Sequence, residues 1–238
     1  MKLSVVIPAY NEEKYLGATL KAINLALQSS ADISELIVVD NESNDKTAEI
    51  AKNLGARVVS EPVHNIAKVR NTGAAAACGD VLIFIDADTL VPHGLFNAIA
   101  DVMQNRMCFG GAVAVDYDKF QRKWMKYYLA GWEFWGRLFN MKQGAAQFCS
   151  PQAFRDLNGY DEGIFMGEDI EFYWRLSKWT KSRGGFLNFI EDIRVTTSAR
   201  RFDKMSMLKT ILLTHPLIIW MNWKRKSFWK DWYDHPVR

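Results

Sequence analysis

Four short apolar runs punctuate the first hundred residues: LSVVIP from Leu3, ELIVVD from Glu35, ARVVSE from Ala56 and VLIFID from Val81. They are rich in Val and Ile and lack strict polar alternation, which suits strands covered on both faces. The stretches between them, 12–29, 46–54 and 66–77, are predicted helices, with Asp45 and Asn65 placed to cap the last two. This rhythm predicts an α/β chain with a mostly parallel central sheet and helices on both faces. In such a sheet ligands bind beyond the carboxyl ends of the strands. What stands there is polar and largely acidic: Pro8-Ala9-Tyr10-Asn11-Glu12, then Asp40-Asn41-Glu42-Ser43, then Asp86-Ala87-Asp88. Any one of these loops fits ordinary turn chemistry, but three on one edge point to a site.

The second half has a different character. Residues 1–100 hold 8 basic and 12 acidic side chains, and residues 101–238 hold 22 and 15, so the two parts are expected to face different partners. The net charge of +3 gives no case for a nucleic-acid partner. GGAVAV from Gly110 reads as a further strand, a helix begins near Glu168, and 185–197 is extended. Segment 119–142 reads as a helix carrying Phe120, Trp124, Tyr127, Tyr128, Trp132, Phe134, Trp135 and Phe139, with six Lys or Arg against Glu133 alone. Near the C-terminus Trp220, Trp223, Trp229 and Trp232 surround Lys224-Arg225-Lys226. Both segments suit a membrane interface, the competing reading being core helices with a solvated face.

No run reaches 18 uninterrupted apolar residues, since Lys209, His215 and Pro216 break 205–223, so a surface-lying helix is expected in place of a spanning one. MKLSVVIPAYNEEK reads as a first strand, not a signal peptide. Cys78, Cys108 and Cys149 have no disulfide or zinc spacing, which favours a reducing compartment.

Two carboxylates one residue apart can hold Mg²⁺ or Mn²⁺, hard cations that bridge to phosphates. With 16 Asp in the chain, chance supplies about one such pair, and a second stands at Asp116-Tyr117-Asp118. Asp86 and Asp88 are read as functional because they close an apolar strand; Asp116 and Asp118 are read as a solvated turn. Glu168-Asp169 begins a helix, where acidic residues also satisfy the helix dipole.

VVIPAYNEEKYL, ELIVVDNESNDKT, HNIAKVRNTGAAAACGDVLIFIDADT and NGYDEGIFMGEDIEFYWRL, in this order over residues 1–180, resemble the successive signatures of family 2 inverting glycosyltransferases, which have a GT-A, Rossmann-like nucleotide-binding fold. The resemblance implies a nucleotide-diphospho-sugar donor, most often UDP-linked, and a divalent cation, Mg²⁺ or Mn²⁺. It places Pro8, Ala9 and Glu12 in the nucleoside loop, Asp40 on the base or ribose, and Arg70 beneath the nucleotide. Asp86, Ala87 and Asp88 fall against the nucleotide sugar, with the metal at Asp88 supported by Asp86. Asp169, paired with Glu168, is the expected base, and Arg200 and Arg201 are candidates to close over the diphosphate. Processive relatives carry Gln-x-x-Arg-Trp where this chain has Ser198-Ala199-Arg200-Arg201-Phe202, which favours addition of one sugar.

The chemistry agrees with that assignment: a leaving diphosphate needs neutralising, and an attacking hydroxyl needs a carboxylate within hydrogen-bond reach. Residues 1–203 are expected to form the transferase domain, with 1–115 binding the nucleotide sugar and 116–203 facing the acceptor. Residues 204–238 form a C-terminal amphipathic segment. The expected acceptor is a lipid-linked or membrane-adjacent glycan, and the expected place is cytoplasmic, peripheral at the inner face of the cell membrane.

Rival readings fit less well. A haloacid-dehalogenase-like phosphatase would use Asp86 and Asp88, but wants Thr or Val where Leu90 stands and normally opens with this motif. An oxidoreductase lacks its G-x-G-x-x-G after the first strand, and a nucleotidyltransferase its Gly-rich phosphate loop. A catalytically silent membrane-surface module would be marked by loss of an acid, yet Asp40, Asp86, Asp88, Glu168 and Asp169 are all present.

Overall fold

The computed structural model describes residues 1–28, 34–118, 124–200 and 205–229. Four parallel strands form one half of the sheet: β1 (Leu3–Ala9), β2 (Ser34–Asp40), β3 (Arg57–Ser60) and β4 (Val81–Ile85). The other half contains β5 (Thr89–Leu90), β6 (Cys108–Tyr117), β7 (Ala146–Cys149) and β8 (Phe186–Thr197). The order is β3-β2-β1-β4-β7-β6-β8-β5, with β7 antiparallel to both β4 and β6, β6 parallel to β8, and β5 antiparallel to β8. The sequence pattern anticipates β1 to β4, β6 and β8. It misses β5 and β7, whose two and four residues are too short for a periodic signal.

Alternation along the parallel strands sends side chains into two cores. Leu3, Val5 and Ile7 pack with Leu16, Leu20 and Ile23 of α1 (Leu16–Gln28) and with Leu95, Phe96 and Ile99 of α4 (Leu95–Met103). Ala51 of α2 (Thr47–Asn53) joins this face. Val6, Ile37, Val39 and Phe84 face the other way, onto α3 (Ile66–Ala76), α6 (Pro151–Asp156) and α7 (Glu168–Ser182). Helix starts follow the local chemistry. Asn65 accepts from the Lys68 amide at 3.0 Å, and Ser150 accepts from Ala153 at 3.2 Å ahead of Pro151. Asp45 acts just outside α2, accepting from the Thr47 amide at 2.9 Å, while Lys46 holds the cap position.

Three helices remain among the described residues. They are α5 (Trp124–Leu138), α8 (Met207–Thr214) and α9 (Pro216–Asn222). Many of their apolar side chains are exposed, Tyr127 83%, Leu208 75% and Met221 68%, while Met125 of α5 is buried. Trp229 is the correction, because it is buried with its indole N–H on the Asn222 carbonyl at 2.9 Å. Phe120 and Trp232 lie outside the described residues. Among the described residues no helix is long and apolar enough to cross a membrane.

Gly73 lets α3 lie close against β1 and β2. A Cβ there would stand 2.3 Å from Val6 Cγ1 and 2.8 Å from Val39 Cγ2, both in the packed sheet. Gly73→Ala is therefore expected to overpack this face and cost about 1–3 kcal/mol, read as a lowered unfolding midpoint in urea with an unchanged slope.

Candidate functional site

The loops after β1 and β2 are sewn together at the carboxyl edge. The Asn11 amide donates to Ser43 Oγ at 2.8 Å, the Asn44 amide to Asn11 Oδ1 at 2.7 Å, and the Glu12 amide to Thr47 Oγ1 at 2.7 Å. Asn11 and Glu42 hold positive φ values of 51° and 57°, a strained conformation for Glu that these cross-loop bonds maintain. Beside them the Tyr10 and His64 rings pack with centroids 4.7 Å apart, and His64 Nδ1 lies 3.2 Å from Asn41 Oδ1. Asp40 ends β2 with its Oδ1 buried and, among the described residues, unpartnered. That oxygen is an acceptor waiting for a donor group.

Arg70, only 2% exposed, crosses beneath the edge. It donates to Asp86 Oδ1 at 2.8 Å and to Glu168 Oε1, so α3, the end of β4 and the start of α7 meet on one guanidinium. Burial works against its charge, but Asp86 and Glu168 outweigh that and hold its pKa above the ordinary value. Arg200 makes the second clamp. Its Nη2 reaches both Glu12 oxygens at 2.7 and 2.8 Å and Asp88 Oδ2 at 2.9 Å, and its guanidinium lies 4.0 Å from the Tyr15 ring. Asp118 holds this segment by accepting from the Ala199 amide at 2.7 Å, and Thr197 Oγ1 donates to Asp88 Oδ1 at 3.3 Å.

Asp169 lies across from these groups. Burial first, and then the Glu168 carboxylate, raise its pKa to about 7, against amide bonds from Gly144 and Ile170 and the charge of Arg70. Tyr117, pushed up to about 12 by burial and by Asp169, Asp86 and Asp88, marks the ground between the three acids.

The model of the family described as "Glycosyl transferase family 2" matches residues 4–155, well over half of the chain. The chain belongs to glycosyl transferase family 2. It is 44% identical over 93 residues to the 4,4'-diaponeurosporenoate glycosyltransferase of Staphylococcus haemolyticus, a match covering 36% of this chain and 24% of that protein. It is 26% identical over 242 residues to glycosyltransferase AglE of Haloferax volcanii, covering 92% of this chain and 74% of the relative. The chain thus matches only a quarter to a third of the length of several curated relatives. In fold it is similar to glucosyl-3-phosphoglycerate synthase of Mycobacterium tuberculosis, solved with Mn²⁺, UDP and glucosyl-3-phosphoglycerate. There the TM-score is 0.62 at 22% identity, covering 93% of this chain and 78% of that one.

With the family in place, the expected residues sort by geometry. Glu12, Arg70, Asp86, Asp88, Glu168, Asp169 and Arg200 converge on one edge through the contacts above. Pro8, Ala9 and Ala87 are buried, so they offer the site backbone and shape; the Ala87 carbonyl accepts from Thr19 Oγ1 at 2.9 Å. Arg201 lies outside the described residues. Arg70 and Glu168 are held in each other's buried ion pair at this edge. Asp116 and Asp118 are both exposed; Asp116 pairs with Arg194 at 2.8 Å, and Asp118 also braces the Arg200 segment through the Ala199 amide. Tyr117, Gly144 and Thr197 had no motif to betray them; their roles arise only when β6, β7 and β8 are brought together.

The acidic edge fits a divalent cation in donor type. Asp86 and Asp88 are carboxylate oxygens with side chains 33% and 17% exposed, and among the described residues no cluster of three or more His, Cys, Asp or Glu forms a cage. Two carboxylates completed by phosphate oxygens and water are the usual surroundings of Mg²⁺ or Mn²⁺.

Because the folded pKa of Asp169 is raised, its contribution to stability is intact below the ordinary carboxylate pKa and is lost as pH rises toward about 7. Asp169→Asn should therefore be more stable than wild type by about 2–4 kcal/mol near pH 8 and equal to it near pH 4, measured by denaturant unfolding at both pH values.

Proposed function

We propose that the protein transfers one sugar, with inversion, from a nucleoside-diphospho-sugar, in the first instance UDP-linked, to a lipid-linked or membrane-adjacent glycan acceptor, in a reaction dependent on Mg²⁺ or Mn²⁺. The observation that carries this reading is the convergence of two acidic groups around Tyr117: the half-buried Asp86 and Asp88 turn, and Asp169, whose pKa desolvation and the Glu168 carboxylate raise to about 7. Asp40, Tyr10 and the interlocked loops would receive the nucleoside. Asp86 and Asp88 would hold the cation with the diphosphate, and the cation would supply charge neutralisation as the leaving group departs. Asp169 takes the proton from the acceptor hydroxyl as its oxygen bonds to C1; the C1–O bond to the diphosphate breaks with its electron pair retained by the nucleoside diphosphate. Arg200, bound to Glu12 and Asp88, stands beside that departing charge with a buried Nη1 that has no partner among the described residues. Arg70 and Glu168 position Asp86 and the start of α7.

Divided along the chain, residues 1–115 serve the donor, 116–203 the acceptor, and 204–238 the membrane. Support for the last lies in contacts next to the base: the Phe165 amide donates to the Trp223 carbonyl at 2.7 Å, and Ile219 packs on Gly167. The Tyr128 hydroxyl and Thr214 Oγ1, 2.5 Å apart, join α5 to α8. The exposed apolar residues of α5, α8 and α9, with the exposed Lys209, Arg225 and Lys226 in the same part of the chain, are the residue types that suit an anionic bilayer face. They suit a protein peripheral at the cytoplasmic side of a membrane.

UDP and UDP-glucose should raise the melting temperature in the presence of Mn²⁺ and less in its absence, and Asp88→Ala should remove the Mn²⁺-dependent part. An equal shift in wild type and variant would take Asp88 out of the site. The membrane reading has its own check: the protein should co-sediment with phosphatidylglycerol vesicles at low salt and not with phosphatidylcholine. Replacing Leu208 and Trp220 with Ala should weaken that binding at least about tenfold.

A further inference from the structure

The loop between α5 and β7 touches both sides of the site. The Ala145 carbonyl accepts the Asp86 amide at 3.3 Å, and the adjacent Gly144 amide donates to Asp169 Oδ2 at 2.5 Å. Two side chains hold the loop in place. Tyr117 donates its hydroxyl to Gln143 Oε1 at 3.1 Å, and the buried Gln147 donates from Nε2 to the Lys142 carbonyl at 3.1 Å and the Asp169 carbonyl at 3.3 Å. Gly144 is where the approach is tightest: a Cβ there would lie 2.6 Å from Asp169 Cβ and 2.8 Å from Oδ2. Its φ is not positive, so the requirement for glycine is one of space.

We infer that Gly144 is a positioning residue for sugar transfer: its amide, reachable only because the side chain is missing, fixes the plane of the Asp169 carboxylate and couples it to the Asp86 turn. The inference deepens the transferase reading, because it takes Asp169 as the base. With the Ile170 amide on Oδ1 at 2.9 Å, one amide N–H meets each carboxylate oxygen, so rotation about the Cβ–Cγ bond breaks both bonds. A carboxylate directed in this way presents its remaining lone pairs along one line toward an incoming hydroxyl. The two amides also favour the charged form, as does Arg70 from α3, against burial and Glu168; Tyr117 and Tyr160 are the other titratable groups that face it. Removing the Gly144 bond therefore both misdirects the base and makes it harder to ionise.

The test uses Gly144→Ala and, because a methyl group there could disturb folding, Tyr117→Phe, which frees Gln143 without adding bulk. Carboxyl ¹³C NMR follows the Asp169 midpoint, assigned by its disappearance in Asp169→Asn, and UDP release from UDP-glucose with Mg²⁺ is measured across pH. In Gly144→Ala the Asp169 midpoint and the acid limb of kcat should both move alkaline by about one pH unit, with kcat down about tenfold and the KM for UDP-glucose within about twofold of wild type. Tyr117→Phe should shift the midpoint in the same direction by a smaller amount. A wild-type midpoint in folded Gly144→Ala, or in Tyr117→Phe if the first variant does not fold, overturns the inference. Wild-type UDP release by Asp169→Asn overturns instead the assignment of the base, whatever the midpoints show.

Discussion

The buried guanidinium of Arg70 is the interaction on which the two halves of the molecule depend. Three elements distant in sequence converge on it: its own helix α3, the Asp86 turn after β4, and Glu168 at the start of α7. A charge so far from water is tolerated only while its partners are in place, and losing one leaves the others uncompensated. The pair with Glu168 spans 98 residues, so the acidic start of α7 is fixed relative to the Asp86 turn by an ion pair more than by the chain between them. Packing reinforces this: Phe84 and Phe172 sandwich Phe154 and Tyr160, and the Tyr160 ring lies 5.4 Å beneath the Arg70 guanidinium.

Arg200 repeats the device at the rim, with one difference. Arg70 is enclosed, whereas Arg200 sits where the edge opens, its side chain 13% exposed, and it ties Glu12 of the β1 loop to Asp88 of the β4 turn. It comes from the strand end held by Asp118, so a late part of the chain reaches back to the β1 loop. The fold thus closes its site from both ends of the sequence, and the segment that follows Arg200 leads into the apolar helices beside α7.

The parallel half of the sheet was legible because parallel strands covered on both faces announce themselves by composition, and because their carboxyl ends must carry whatever chemistry the sheet supports. The polar loops that hold Glu12, Asp40, Asp86 and Asp88 stand at or just past those strand ends. The half that holds the antiparallel strand β7 was not legible in the same way. β7 holds four residues and pairs against the direction of its neighbours, so neither length nor periodicity exposes it, and with it went the Gly144 loop. Arg70 could be matched to a motif, but its burial depends on α7 arriving over it, which no local pattern encodes. Trp229 shows the opposite failure: composition placed it with the surface tryptophans, while in the fold it is buried with its indole N–H on the Asn222 carbonyl.

The charge pattern at the edge links fold to chemistry. Glu12, Asp86, Asp88, Glu168 and Asp169 gather around the guanidiniums of Arg70 and Arg200, and Asp169 relieves part of the imbalance by keeping its proton until about neutral pH. Such an edge repels a nucleoside diphosphate, itself an anion, unless positive charge arrives with it. A dication bound between Asp86 or Asp88 and the diphosphate would remove that repulsion where it is strongest and lower the potential opposing ionisation of Asp169. Donor binding and readiness of the base would then be coupled through electrostatics alone, with no moving part, so that the proton acceptor becomes competent when there is a sugar to transfer.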